Sequence, residues 1–221
     1  MALGTNRANV RLDQAVFNGD LLMRGEWCFF PGKFSPESCD EIIAMGLERA
    51  DSPGTVGGET RRPPTVAREI RQSSVTWLPR HDARLNGLFS VLDDFVWEAN
   101  NTWFGVDYDY HGTNALQFTI YRGKAAEAAS GDYYHAHSDT AWISEYPAQR
   151  KLSVVVQLSD PDDYDGGDFT MEHVSQQIPS EQIKQRGTVL VFPSLIRHGV
   201  APVTRGTRYS LVGWYMGPAW R

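Results

Sequence analysis

Tyr133-Tyr134-His135-Ala136-His137-Ser138-Asp139 decides how the chain is read. Residues two apart on an extended strand point to the same face, so His137 and Asp139 offer an imidazole and a carboxylate side by side. A third donor comes much later, as His198 in Phe192-Pro193-Ser194-Leu195-Ile196-Arg197-His198-Gly199-Val200. Two imidazoles and one carboxylate on one face of a metal, with the other positions open, suit non-haem Fe(II) and its oxygen chemistry. A His-x-Asp pair alone carries little weight, because 6 histidines and 27 acidic residues make a chance pair common. The rest of the sequence has to supply the context.

Around that stretch the pattern is β. Ala115 to Tyr121 is a clear strand, followed by the small-residue loop from Gly123 to Gly131. Lys151 to Ser159 (KLSVVVQLS) is apolar enough for the middle of a sheet, Asp160 to Gly167 is an acidic turn, and Asp168 to Glu172 is another strand. Thr188 to Phe192 reads as a buried strand. Val200 to Thr204 and Arg208 to Tyr215 read as two more, joined by a turn at Arg205-Gly206-Thr207.

Before residue 111 the signals are mixed. Residues 1–24 form an arm, and Glu26 to Phe30 is a short strand stopped by Pro31-Gly32. Ser35 is an N-cap with Pro36 at the first helical position, opening a helix to about Arg49. Residues 51–70 read as a long loop or a loose hairpin. With Arg71, its arginines Arg61, Arg62 and Arg68 are the one basic concentration, either a solvated loop or a flap meeting an acidic or phosphorylated partner. Arg71 to Leu78 alternates as a strand, and the 3.6 periodicity predicts a helix from His81 to about Phe104. These elements predict an α+β domain: a double-stranded β-helix (jelly-roll) core at 111–221, strand and helix support at 25–110 with flanking N-terminal helices, and one domain over 1–221.

Composition fits one such domain. The 221 residues are 41% hydrophobic and 12% aromatic, enough for a sizeable core. A net charge of -6 argues against broad nucleic-acid or acidic-membrane binding. Cys28 and Cys39 are too few for a disulfide scaffold and are expected as free thiols. No apolar run approaches the roughly 20 residues of a membrane span. The first residues lack the apolar core of a secretory signal, so a cytoplasmic protein is expected.

From about Leu116 to Met216 the chain resembles the Fe(II)- and 2-oxoglutarate-dependent dioxygenases, in their prolyl 4-hydroxylase-like branch. The resemblance rests on Tyr121, on Gly131, Tyr134 and His137-x-Asp139, on Tyr164-Asp165-Gly166-Gly167-Asp168, and on the terminal HGVAPVTRGTRYSLVGWYMG. It implies His137, Asp139 and His198 as catalytic iron ligands. It implies Arg208, assisted by Ser210 and Tyr121, as the grip on the distal carboxylate of 2-oxoglutarate. An arginine with a hydroxyl two residues on suits a carboxylate, since the fork donates two hydrogen bonds and the hydroxyl adds a third. Arg208 stands where prolyl hydroxylases often have lysine. Gly166-Gly167 would be a turn with a backbone role only.

The resemblance further implies Fe(II), 2-oxoglutarate and O2, with ascorbate as an optional accessory, and hydroxylation of a C–H bond with release of succinate and CO2. The carboxylate at Asp139 favours hydroxylation over halogenation, because related halogenases have a small residue there. The partner implied first is a protein or peptide carrying a prolyl residue. The same chemistry on a small molecule such as a free amino acid is the second reading, and a non-catalytic jelly-roll binding module the third. His135-x-His137 is similar to the histidine pair of cupins, but Ala141 and Trp142 stand where that class needs a glutamate. Alternation places His135 on the face of His137, where it would line the pocket.

Overall fold

The strands divide their side chains between two faces, and that division builds the domain. The computed structural model describes residues 25–49, 52–53, 70–109, 112–125, 130–141 and 147–220. In chain order these give β1 (Cys28–Phe30), α1 (Pro36–Leu47), β2 (Ser52–Pro53), β3 (Arg71–Gln72), β4 (Ser74–Pro79), α2 (Asn86–Ala99), β5 (Ala115–Arg122) and β6 (Tyr133–His137). They continue with β7 (Ala148–Gln157), β8 (Tyr164–Gly166), β9 (Phe169–Glu172), α3 (Ser180–Lys184), β10 (Val189–Pro193), β11 (Arg197–Val200) and β12 (Val203–Pro218). The large sheet runs β1-β10-β7-β12-β5-β4-β2, with β8 paired to β12 off that path. The small sheet runs β3-β6-β11-β9. All pairings are antiparallel. The architecture is the jelly roll flanked by helices.

Each face of the large sheet has its own core. Phe118, Ile120, Val154, Val156, Leu211 and Tyr215 turn outward onto the helices, where Leu88, Leu92 and Val96 of α2 meet them. Between the sheets, Tyr121, Val155, Leu190 and Phe192 meet Phe169 and Val200 of the small sheet. Burying both faces explains the nearly continuous apolar run of β7. Strands from before residue 111 enter both layers: β1 and β4 extend the large sheet and β3 the small one.

The first helix starts as its sequence directs, with the Ser35 hydroxyl accepting from the Ser38 amide at 3.2 Å and Pro36 opening the helix. Four expectations change. Residues 71–78 are two strands in different sheets, because the chain leaves the small sheet at Ser73 and enters the large one at Ser74. The expected helix over 81–104 opens with a 3₁₀ turn at Ala83–Leu85 and becomes α2. It then widens to a π turn over Asn100–Phe104, ended by Gly105 at φ 61°. The expected turn at Arg205-Gly206-Thr207 lies inside the single strand β12. Its Gly206, at φ 70°, sits beside a register shift in the pairing with β8, so a turn-like signal marks a bulge. The short helix α3 has no counterpart among the expected elements. Residues 1–24 and 54–69, with Arg61, Arg62 and Arg68, lie outside the described residues.

Gly46 of α1 is where the helix touches the sheet. A Cβ there would sit 2.4–2.6 Å from ring carbons of Phe118, which is fully buried on β5. Normal carbon contacts are about 3.5–4.0 Å, so helix and ring would have to separate by an ångström or more. Overpacking of that kind costs about 1–3 kcal/mol and outweighs the roughly 1 kcal/mol that alanine gains over glycine inside a helix. Gly46→Ala is therefore expected to lower the denaturant midpoint, measured by urea unfolding followed by far-UV circular dichroism.

Candidate active site

Strand register places the two imidazoles. β6 and β11 pair with His137 opposite His198, and the ring centroids are 4.5 Å apart. Asp139 arrives differently from the expectation of two residues on one strand face, because β6 ends at His137. The following loop docks against the turn after β10. The Ser138 hydroxyl donates to the Leu195 carbonyl and the Asp139 amide to the Ser194 carbonyl, each at 2.9 Å. This docking brings Asp139 Oδ1 to 3.5 Å from His137 Nε2 and Oδ2 to 3.5 Å from His198 Nε2. The three donors lie within 4.8 Å of one another, the one such cluster among the described residues.

The imidazoles are held in one tautomer. His137 Nδ1 meets the His135 carbonyl and His198 Nδ1 the Ile196 carbonyl, both at 2.9 Å. A carbonyl only accepts, so each Nδ1 carries the proton and each Nε2 lone pair is left for a metal. Tyr134 stacks on His137 at 3.6 Å between centroids, while Phe169 and Phe192 pack on His198. Burial pushes His198 below its ordinary pKa, against the opposing pull of Asp139. Burial alone would raise the Asp139 pKa. The neighbouring imidazoles, His198 foremost, and the Arg150 charge outweigh it and hold the carboxyl well below the usual range. Anionic carboxylate and neutral imidazole are the forms that bind metal.

The same cavity contains the residues expected to grip a dicarboxylate. Arg208 and Tyr121 are cross-strand partners on β12 and β5, with the guanidinium 5.6 Å from the tyrosine ring centre, and Ser210 follows on the same face. Arg208 is 3% exposed and its NH1 group has no hydrogen-bond partner. A buried guanidinium nitrogen left in that state calls for an anion. Gly167, at φ 62°, makes room for it, since a Cβ there would lie 3.0 Å from Arg208 Cδ. The expected turn at Gly166-Gly167 thus also spaces the arginine.

His135 is exposed and does not line the cavity, against the expectation from alternation. Its carbonyl instead holds His137. Several lining residues escaped the sequence reading of the site, Arg71, Trp214 and Arg150 among them. Arg71, read as part of a basic loop, is 4% exposed. Its Nε donates to Ser73 at 2.7 Å, its guanidinium lies over Tyr134, and its NH2 group has no partner. Trp214 carries a buried Nε1 without a partner. Arg150 lies over the Trp214 ring at 3.9 Å. The alternation of Arg71 with Ser73, and of Trp214 with Arg208, Ser210 and Val212, is the signal that places them inside.

A jelly roll that gathers a His/Asp/His cluster beside a buried arginine in want of an anion suits a metal centre next to an anion site. Residues 116–216 match the family model of the 2OG-Fe(II) oxygenase superfamily. A PKHD-type hydroxylase of Prochlorococcus marinus is 34% identical over 90 residues, covering 40% of this chain and 38% of the relative. One from Hyphomonas neptunium is 36% identical, covering 39% of each. These matches therefore span about two fifths of the relatives' length.

Among solved structures, the viral collagen prolyl hydroxylase from Paramecium Bursaria Chlorella virus-1 superposes with a TM-score of 0.62 at 17% identity, covering 87% of this chain and 96% of its own. The Pseudomonas putida prolyl-4-hydroxylase gives 0.59 at 20%, covering 89% and 94%. The family works with Fe(II), 2-oxoglutarate and O2. Both groups fit the residues present: two Nε2 lone pairs and an anionic carboxylate suit Fe(II), and the unpartnered Arg208 suits a carboxylate.

The depressed His198 has a consequence for the metal-free protein. Its unfolded-state pKa is about 6.5 and its folded value lies lower, so below pH 6.5 the unfolded chain binds more protons and stability falls. Lowering pH from 7.5 to 5.5 should reduce the melting temperature of chelator-treated protein, followed by differential scanning fluorimetry. The loss should be smaller in His198→Gln.

Proposed function

We propose that the chain is an Fe(II)- and 2-oxoglutarate-dependent hydroxylase acting on a prolyl residue in a protein or peptide. In this reading His137, Asp139 and His198 hold the iron, and Arg208, Ser210 and Tyr121 hold the co-substrate. The observation that carries it is the close His/Asp/His cluster in one cavity with the unpartnered Arg208 guanidinium. Iron and keto acid, when bound, supply the oxidation of a C–H bond, with 2-oxoglutarate leaving as succinate and CO2.

The protein's own part is placement and exclusion of water. His137, Asp139 and His198 would hold the metal where it meets the cavity. The Arg208 fork fixes the far carboxylate, Ser210 adds a neutral donor, and Phe169 and Phe192 pack against His198 to keep its side of the metal dry. Arg71 NH2 and Trp214 Nε1 are donors in want of acceptors. A peptide carbonyl beside the target residue supplies one.

The prolyl-peptide choice draws support from relatives in which that substrate is named. One is a Trichoplax adhaerens prolyl hydroxylase in complex with a hypoxia inducible factor peptide fragment, which superposes with a TM-score of 0.62 at 19% identity, covering 86% of this chain and 83% of its own. A small molecule such as a free amino acid is the competing substrate class for the same chemistry. Free Cys28 and Cys39 are consistent with a reducing, cytoplasmic setting. No helix among the described residues is long and apolar enough to cross a membrane.

Alanine at His137, Asp139 or His198 should each abolish Fe(II)-dependent conversion of 2-oxoglutarate to succinate with the fold retained. Substantial turnover in any one removes that residue from the iron site. Proline-rich peptides and free L-proline, incubated with the wild type and searched by mass spectrometry for one added oxygen, separate the two substrate classes.

Arg208 gives a second test. An arginine–carboxylate pair contributes about 1.5–3 kcal/mol, so its loss should weaken co-substrate binding roughly 10- to 150-fold. Arg208→Ala should raise KM for 2-oxoglutarate by that order and leave iron affinity little changed. Arg208→Lys should recover part of it, because charge survives without the fork. A shorter 2-oxo acid lacking the far carboxylate should be nearly indifferent to Arg208→Ala. Equal losses with both acids would assign Arg208 a structural role.

A further inference from the structure

Asp139 is gripped at two points by segments that contribute no metal ligand. Its backbone amide donates to the Ser194 carbonyl at 2.9 Å, and its Oδ2 accepts from the Ser153 hydroxyl at 2.7 Å. Ser153 lies on β7 and Ser194 in the turn after β10, and both are fully buried. Their hydroxyl oxygens are 2.9 Å apart. Ser153 has one proton and gives it to Asp139, so the Ser194 hydroxyl is the donor between the two serines. The result is a directed chain from Ser194 through Ser153 to Asp139 Oδ2. A buried hydroxyl in the middle of β7 is costly where neighbouring Leu152, Val154 and Val156 are apolar, and this chain is what satisfies it.

We propose that Ser153 is a positioning residue: its hydrogen bond to Oδ2 holds the Asp139 carboxylate in the orientation that sets Oδ1 3.5 Å from His137 Nε2 and Oδ2 3.5 Å from His198 Nε2. The inference rests on the reading of His137, Asp139 and His198 as the metal ligands. Its chemical sense lies in holding the carboxylate plane. Oδ2 accepts from Ser153 and still faces His198 Nε2, since a carboxylate oxygen has two lone pairs. Rotating the carboxylate away from the imidazoles would break a buried, charge-assisted hydrogen bond. Partners of this kind that orient a ligating carboxylate tune metal affinity and geometry from outside the coordination sphere.

The test uses the full-length chain stripped with chelator and loaded with Co(II), whose visible d–d absorption reports coordination number. Ser153→Ala, and the nearly isosteric Ser153→Cys in case alanine destabilises β7, should both change that spectrum. Both should also weaken Co(II) binding about 10- to 100-fold in competition with a chromophoric chelator. Ser153→Thr, which keeps the hydroxyl, should restore spectrum and affinity together. Wild-type spectra and affinities in the alanine and cysteine variants would overturn the role of Ser153 while leaving the triad standing. Failure of Ser153→Thr to restore them would assign the effect to packing and overturn it equally. A wild type that binds no Co(II), or binds it unchanged after His198→Ala, would overturn the triad reading and this inference with it.

Discussion

The register between β6 and β11 is the constraint on which the site depends. Side chains alternate along a strand, so a slip of one residue would turn His198 away from His137 and point Gly199 or Arg197 at it. Several unrelated features hold that register. β11 is fixed on its other edge by four consecutive pairs with β9, and Arg197 ties Glu172 of β9 to the Ala136 carbonyl of β6. Gly199 allows the two backbones to close, since a Cβ there would lie 2.8 Å from the Tyr134 carbonyl oxygen. The ladder then shifts register between His198 and Val200, which confines the strict pairing to the histidines.

β12 does for Arg208 what β11 does for His198. It is the longest strand and pairs with β8, β5 and β7 in turn, so three parts of the chain fix where Arg208 stands. Its outward residues Leu211 and Tyr215 are in the helix-facing core, and the Tyr215 hydroxyl donates to Asp93 of α2, which also holds Arg80 through both oxygens. The helical layer thus acts on the site at one remove, by clamping the back of the strand whose front carries Arg208 and Ser210.

Much of this was legible in the residues and some was not, for reasons that differ. His137, Asp139, His198, Arg208 and Ser210 announce themselves because each is a reactive type at a meaningful spacing. The start of α1 is equally legible because capping is local chemistry between Ser35 and Ser38. The continuity of β12 was hidden, since a glycine flanked by polar residues signals a turn whether or not the partner strands bridge it. The break at Ser73 was hidden because a period of two is the same for one strand as for two strands in different sheets. Arg71 looked solvated because its neighbours in sequence are basic, whereas its neighbours in space are Tyr134 and Ser73. Ser153 looked like one polar residue in an apolar strand, and only the docking of the Asp139 loop gives its hydroxyl a purpose.

The inner face of β12 divides the cavity into two ends. Arg208, Ser210, Val212 and Trp214 alternate inward, and at about 3.3 Å per residue the outer two stand some 20 Å apart. At one end the unsatisfied donor is Arg208 NH1, where an anion is required. At the other stands Trp214 Nε1, beside the ring of Trp77. Between them lies Val212, which offers no hydrogen bond. A small anion held at Arg208 does not reach the Trp214 end, so the indole Nε1 is left without an acceptor. Buried donors are costly unless something accepts from them. The four buried orphans among the described residues include three in this one cavity. Arg208 and Trp214 stand too far apart along β12 for one small anion to satisfy both.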